Sequence, residues 1–229
     1  MSASSFDLPR AAVGEFVGTA LLVSAVVGSG VMAERLAGGN AALTLLANSI
    51  ATGGALGTLI FTFGPISGAH FNPLVTLVSA AERALPWRGV TPYMAAQLCG
   101  GFLGVVLTHL MFELPPVQLS DHARNGSGQF VSEIIATFGL LAVIHGTGKR
   151  ASVVPLTVAA YITAAYWFTS STSFANPAVT IARAFTSTFT GIRLADVPAF
   201  IVAQIIGAVG ATIFFRWLLR LDEKGDQHA

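Results

Sequence analysis

Charge is scarce in this chain: its 229 residues include 12 Lys plus Arg and 11 Asp plus Glu, together 10% of the total. A soluble globular domain carries roughly 25%, so the composition argues against a water-exposed globule. With so few basic residues there is no cationic stripe for nucleic acid. The single cysteine, Cys99, rules out an intramolecular disulfide. It falls in an apolar segment, where core packing is its expected role and a metalloid-reactive thiol the alternative. Catalytic signatures are missing too: there is no HExxH, no Ser-His-Asp order on apolar segments, no paired carboxylates in one segment and no glycine-rich phosphate loop. An enzyme is not expected. His109 and His145 lack metal-ligand spacing and read as packed or interfacial, and nothing marks His122 or His228. No metal and no cofactor is expected.

Apolar residues make up 53% of the chain, and the mean hydropathy is +0.70. Six segments are long and apolar enough to cross a bilayer: about 11–33, 42–63, 91–112, 129–148, 152–170 and 197–218. The first lacks a small-residue cleavage site and reads as retained. If the N-terminus is cytoplasmic, Arg10, Arg83, Arg88, Lys149, Arg150, Arg216, Arg220 and Lys224 fall inside, against Arg35, Arg124, Arg183 and Arg193 outside. That asymmetry places both termini in the cytoplasm. Trp87, Tyr93 and Trp217, near segment ends, are expected as interface anchors. The tail from Leu221 to Ala229 is charged and expected to be disordered.

Two hydrophobic motifs repeat: Ser67-Gly68-Ala69-His70-Phe71-Asn72-Pro73-Leu74-Val75-Thr76 and Ser173-Phe174-Ala175-Asn176-Pro177-Ala178-Val179-Thr180. Asn is a good N-cap and Pro is favoured at the first helical position, so short helices are expected near 72–82 and 176–186. Neither is long enough to cross. Non-helical backbone cannot face lipid, so such starts must be buried in protein or line a water-filled cavity. Glu15-Phe16-Val17-Gly18-Thr19 matches Glu133-Ile134-Ile135-Ala136-Thr137, and Ala96-Gln97-Leu98 matches Ala203-Gln204-Ile205. The order Glu, Asn-Pro, Gln thus occurs twice, across halves of about 11–112 and 129–219. With three crossings per half the second copy enters from the opposite side, which is an inverted repeat. The helix starts would then meet near the midplane, each presenting about half a positive charge. Small-residue pairs, Gly14 with Gly18, Gly53 with Gly57 and Gly100 with Gly104, predict close helix approach.

With these motifs the chain resembles the aquaporin and glycerol-facilitator family, the major intrinsic proteins, over residues 11–219. The resemblance implies an all-α membrane protein of six transmembrane helices plus two re-entrant half-helices. It implies one pore per subunit, a homotetramer in the inner (plasma) membrane, and passive movement of water or small neutral solutes. By resemblance, Asn72 and Asn176, with Pro73, Leu74, Pro177 and Ala178, form the midplane, and both asparagines donate N–H groups to the solute file. Leu74 stands where the family carries Ala; it packs against the other half-helix or slightly narrows the midplane. His70 lines the cytoplasmic mouth. Glu15 and Glu133 are implied to be structural, accepting from the loops before each asparagine, with Gln97 and Gln204 as repeat partners; proton coupling is the rival role.

The outer filter departs from the family. Val179 occupies the position where most members carry an Arg, and Thr52 that of an aromatic ring in water channels. The third wall is Ala164 or Tyr166, depending on register, and the fourth is Ser173 or Phe174. Arg183, four residues after Val179, either reaches the vestibule or pairs at the surface with Asp196. A wide filter for neutral solutes is the expectation. The Val-for-Arg form is similar to aquaglyceroporin-like channels found with bacterial arsenic-resistance genes, which implies metalloid acids such as arsenous acid beside glycerol and urea. A water-selective pore is the alternative, and an ion-coupled secondary transporter is the competitor from another class.

Overall fold

A computed structural model describes residues 7–148, 150 and 152–225, with side chains described through residue 219. The described residues form helices α1 (Leu8–Leu36), α2 (Ala41–Ser67), α3 (Pro73–Ala81), α4 (Val90–Met111), α5 (Ser127–Thr147), α6 (Val154–Phe168), α7 (Pro177–Arg183) and α8 (Val197–Gly225). Asp7 caps α1 by accepting from Arg10 N, and Asn40 caps α2 by accepting from Leu43 N. Among the described residues, five helices are long and apolar enough to cross a membrane.

The fifth expected span is shorter than the sequence suggests. Helix α6 has 15 residues, a rise of about 22 Å against a hydrocarbon core of about 30 Å. Pro155 fixes its first turn, and Thr169 turns extended at ψ 139°. The non-helical backbone that follows keeps Thr169 and Ser171 buried in protein, as a lipid surround demands.

The helices pack in matched pairs, α1 on α4 and α5 on α8, α1 on α2 and α5 on α6. Glycines set the closest of these approaches. A Cβ at Gly100 would run into Phe16 O and one at Gly104 into Ala20 O, so α4 lies with its backbone against α1. Gly18 makes room for the Phe71 ring and Gly53 for Thr163. The small-residue pairs therefore serve contacts inside one subunit.

Several expectations are corrected. Tyr93 is buried, its hydroxyl donating to Ser67 O at 2.7 Å, because it sits on the α4 face that meets the loop before α3. Cys99 is exposed on the outward face of α4, not in the core. Trp87 and Trp217 are exposed, as anchors would be. Helix α8 runs to Gly225, past the point where disorder was expected, and residues 226–229 lie outside the described residues.

Replacing Gly104 with Ala should lower stability by about 1–3 kcal/mol, since the methyl group would run into the Ala20 carbonyl and crowd Val23 Cβ. A thermal unfolding curve in detergent indistinguishable from wild type would contradict this packing.

Candidate solute pathway

The half-helices begin where the sequence places them and stop earlier than expected. Asn72 is extended at φ −149°, ψ 121°, and its Oδ1 accepts from Leu74 N; Asn176 is extended at φ −156°, ψ 113° and accepts from Ala178 N and Val179 N. Helix α7 ends at Arg183, where Ala184 N and Phe185 N turn to the carbonyls of Ile181 and Ala182, and the carbonyls of Ala184 and Phe185 accept from Ser120 N and Gln118 N of the α4–α5 connection. Helix α3 ends at Ala81, and Arg83 turns left-handed at φ 64°.

The two starts are tied to each other. Asn72 Nδ2 donates to Ala175 O at 2.8 Å, and Asn176 Nδ2 donates to Phe71 O at 2.7 Å. Each amide nitrogen has two N–H groups. One is thus spent on the opposite loop and one remains, and both asparagines line the central cavity.

Each loop before an asparagine is left-handed at non-glycine residues: Ala69 at φ 50° and Phe71 at 48°, then Thr172 at 61°, Ser173 at 50° and Ala175 at 49°. Such residues cost on the order of 1–3 kcal/mol each. A buried carboxylate holds each loop. Glu15 Oε1 accepts from Ser67 Oγ at 2.7 Å and His70 N at 2.9 Å, and its Oε2 from Phe71 N at 2.7 Å and Gln97 Nε2 at 2.8 Å. Glu133 repeats the pattern with Ser171 Oγ at 2.6 Å, Phe174 N at 2.9 Å, Ala175 N at 2.9 Å and Gln204 Nε2 at 2.6 Å. Gln97 also donates to Thr76 Oγ1 and Gln204 to Thr180 Oγ1, and both threonines donate back to the carbonyl of their own asparagine. Ser67, Thr76 and Thr180 stand inside the repeated motifs but were given no role from the sequence, and Ser171 was not named. The shared spacing, serine five before and threonine four after each asparagine, is the signal that could have found them.

One cavity of about 300 Å³ passes the asparagines. Toward the end of α3 it is lined by His70, Ser79, Glu82, Ile144 and His145. His70 Nδ1 lies 3.1 Å from Thr76 Oγ1. His145, read from sequence as packed or interfacial, faces Glu82 Oε1 with Nε2 at 2.7 Å and Leu141 O with Nδ1 at 2.6 Å. Arg216 Nη2 donates to Ala81 O at 3.0 Å. Neither Glu82 nor Arg216 carried a motif that marked it.

At the opposite end the lining includes Thr52, Tyr166, Ser173, Phe174, Val179 and Arg183. Ala164 is exposed on the other face of α6 and is absent from the lining, so of the two candidates Tyr166 is the one brought to the cavity. Its hydroxyl donates to Thr52 Oγ1 at 3.3 Å. Ser173 Oγ is buried with no hydrogen-bond partner among the described residues. Arg183 is 2% exposed, so the surface alternative is overturned. Its Nε donates to Thr190 O, and its guanidinium carbon lies 3.4 Å from the centre of the Phe174 ring. Asp196 instead binds Arg193 Nη2 at 3.0 Å and Arg124 N at 2.9 Å. Pro73, Leu74, Pro177 and Ala178 stand off the cavity. Leu74 packs with Leu141, Ala208 and Ala211 on α5 and α8 and is absent from the cavity lining.

Glu133→Gln would put a donor where Glu133 Oε1 or Oε2 now accepts, leaving two buried donors facing it. Each unmet buried donor costs about 1–3 kcal/mol. The variant should melt several degrees lower in detergent; an unchanged melting curve would contradict the cradle.

Comparison with known proteins agrees with this architecture. The family model of major intrinsic proteins matches residues 2–170 and 149–229. The chain is 52% identical to aquaglyceroporin AqpS of Rhizobium meliloti (strain 1021) over 216 residues, covering 94% of this chain and 92% of that protein. It is 32% identical to the glycerol uptake facilitator protein of Streptococcus pneumoniae over 152 residues, covering 59% of this chain and 63% of that protein. The crystal structure of the aquaglyceroporin from Plasmodium falciparum superposes with a TM-score of 0.71 at 22% identity, over 92% of this chain and 95% of that one, which shows the shared fold. With paired asparagine caps meeting inside a helical bundle and a family model spanning both halves, this chain belongs to the major intrinsic protein family of membrane channels.

Proposed function

We propose that the chain is a passive channel for small neutral solutes and water, with metalloid acids such as arsenous acid, glycerol and urea as its solute class. The observation that carries this reading is Val179 on the cavity wall beside the capped start of α7. An aliphatic side chain there supplies neither charge nor hydrogen-bond donor. Hydroxyls at Thr52, Ser173 and Tyr166 supply polar contacts without a net charge, which suits uncharged solutes bearing several hydroxyl groups. Arsenous acid is uncharged at neutral pH and presents its hydroxyls much as a small polyol does. The relatives named an aquaglyceroporin and a glycerol uptake facilitator support the solute class.

On this reading Thr52, Tyr166, Ser173, Phe174 and Val179 form the selecting wall. Arg183 supplies a displaced positive charge against cations, aided by the two helix starts at the midplane. His70 contributes to the inner mouth. The whole chain acts as one channel domain of two inverted repeats, about 11–112 and 129–219, assembled as a homotetramer with both termini cytoplasmic. One observation favours a water-selective pore instead: the Tyr166 ring occupies part of the outer lumen and is tied to Thr52.

The test is Val179→Arg in proteoliposomes, with water and glycerol flux followed by stopped-flow light scattering. The substitution should reduce glycerol flux more than water flux, because it adds bulk and a fixed cation at a position that now carries an uncharged valine. An unchanged ratio of the two fluxes would overturn the filter assignment.

A further inference from the structure

Arg124 lies in the connection between α4 and α5 and does not line the cavity, yet it is 7% exposed. Its side chain gathers three separate carbonyls: Nε donates to Gly191 O at 2.7 Å, Nη1 to Ser171 O at 3.3 Å and Nη2 to Phe189 O at 3.3 Å. Its backbone N–H is taken by Asp196 Oδ2. Its guanidinium carbon is 5.1 Å from the centre of the Phe174 ring, the same ring on which Arg183 rests at 3.4 Å.

These contacts bear on the selecting wall from outside it. Ser171 is the hydroxyl donor to Glu133, and Phe174 N donates to the same carboxylate, so the loop that Arg124 grips is the loop that the cradle holds from below. Phe174 is thus fixed at its backbone by Glu133 and faced at its ring by two cations. Burial pulls the Arg124 guanidinium down to about 10, with Glu133 and Tyr166 opposing, which leaves it charged at neutral pH. Two like charges on one ring repel, so the position of Arg183 depends on where Arg124 is pinned. A planar fork of donors can reach three carbonyls at once and still face a ring, whereas a lysine ammonium cannot.

We propose that Arg124 is a positioning residue for the outer constriction: acting through Phe174, it sets where Arg183 sits and thereby the ratio of solutes the channel passes. This rests on reading that end of the cavity as the solute filter.

The test is a double-mutant cycle in proteoliposomes, read as the ratio of glycerol to water permeability. Arg124→Lys keeps the charge and loses the fork; Phe174→Leu loses the ring. Each should change the ratio, and the double variant should depart from the product of the single effects by about two- to threefold or more, the coupling expected of residues in contact. A merely structural role for Arg124 would lower the number of working channels and leave the ratio alone. A ratio unchanged by Arg124→Lys, or effects that multiply independently, would overturn the proposal. If Arg124→Lys does not reconstitute, Arg124→Gln, which keeps one amide donor, replaces it in the same cycle with the same two outcomes. Failure of the filter reading shows separately, as a Val179→Arg variant that leaves the ratio unchanged while the Arg124–Phe174 coupling persists.

Discussion

Glu15 and Glu133 are buried carboxylates in a part of the chain that faces lipid on its outside, and the lumen depends on both. Ionisable side chains in a membrane span cost about 2.5–3.5 kcal/mol near the centre. Each carboxylate here accepts four hydrogen bonds. Bonds to charged groups contribute about 1.5–3 kcal/mol apiece, so the four outweigh insertion and also offset left-handed backbone at Phe71 and Ala175. What surrounds each carboxylate is a set of four donors from its own loop and its own glutamine.

From that anchor the remaining geometry follows. Holding the loop in a left-handed path brings Asn72 and Asn176 to their extended cap conformations, and each asparagine then reaches across to the other loop. The cross-bonds fix how near the two helix starts approach, and the cavity passes beside them. Glycines at the α1–α4 contact let the scaffold close around this centre.

Much of this was legible in the chain because the repeat is exact in kind. Glu, Asn-Pro and Gln recur in one order, and the structure joins them into two equivalent networks. Positions that lack a repeat signal were harder. Tyr93 looked like an interface aromatic because its depth depends on which face of α4 meets the α3 loop, and periodicity in a uniformly apolar helix does not tell faces apart. Cys99 was misplaced for the same reason. Ala164 and Tyr166 were left undecided because the choice turned on a loop length, and only the packing of α6 decides which one reaches the cavity. Arg124 and the Glu82–His145 pair carry no motif at all; their partners come from elements far away in sequence.

Glycerol uptake into proteoliposomes, with and without imposed proton or sodium gradients, separates a passive conduit for neutral solutes from a coupled carrier. A passive conduit predicts uptake well above protein-free vesicles, proportional to the glycerol gradient and indifferent to either ion gradient. Uptake that follows the proton or sodium gradient, or that does not exceed the protein-free rate, would contradict the account.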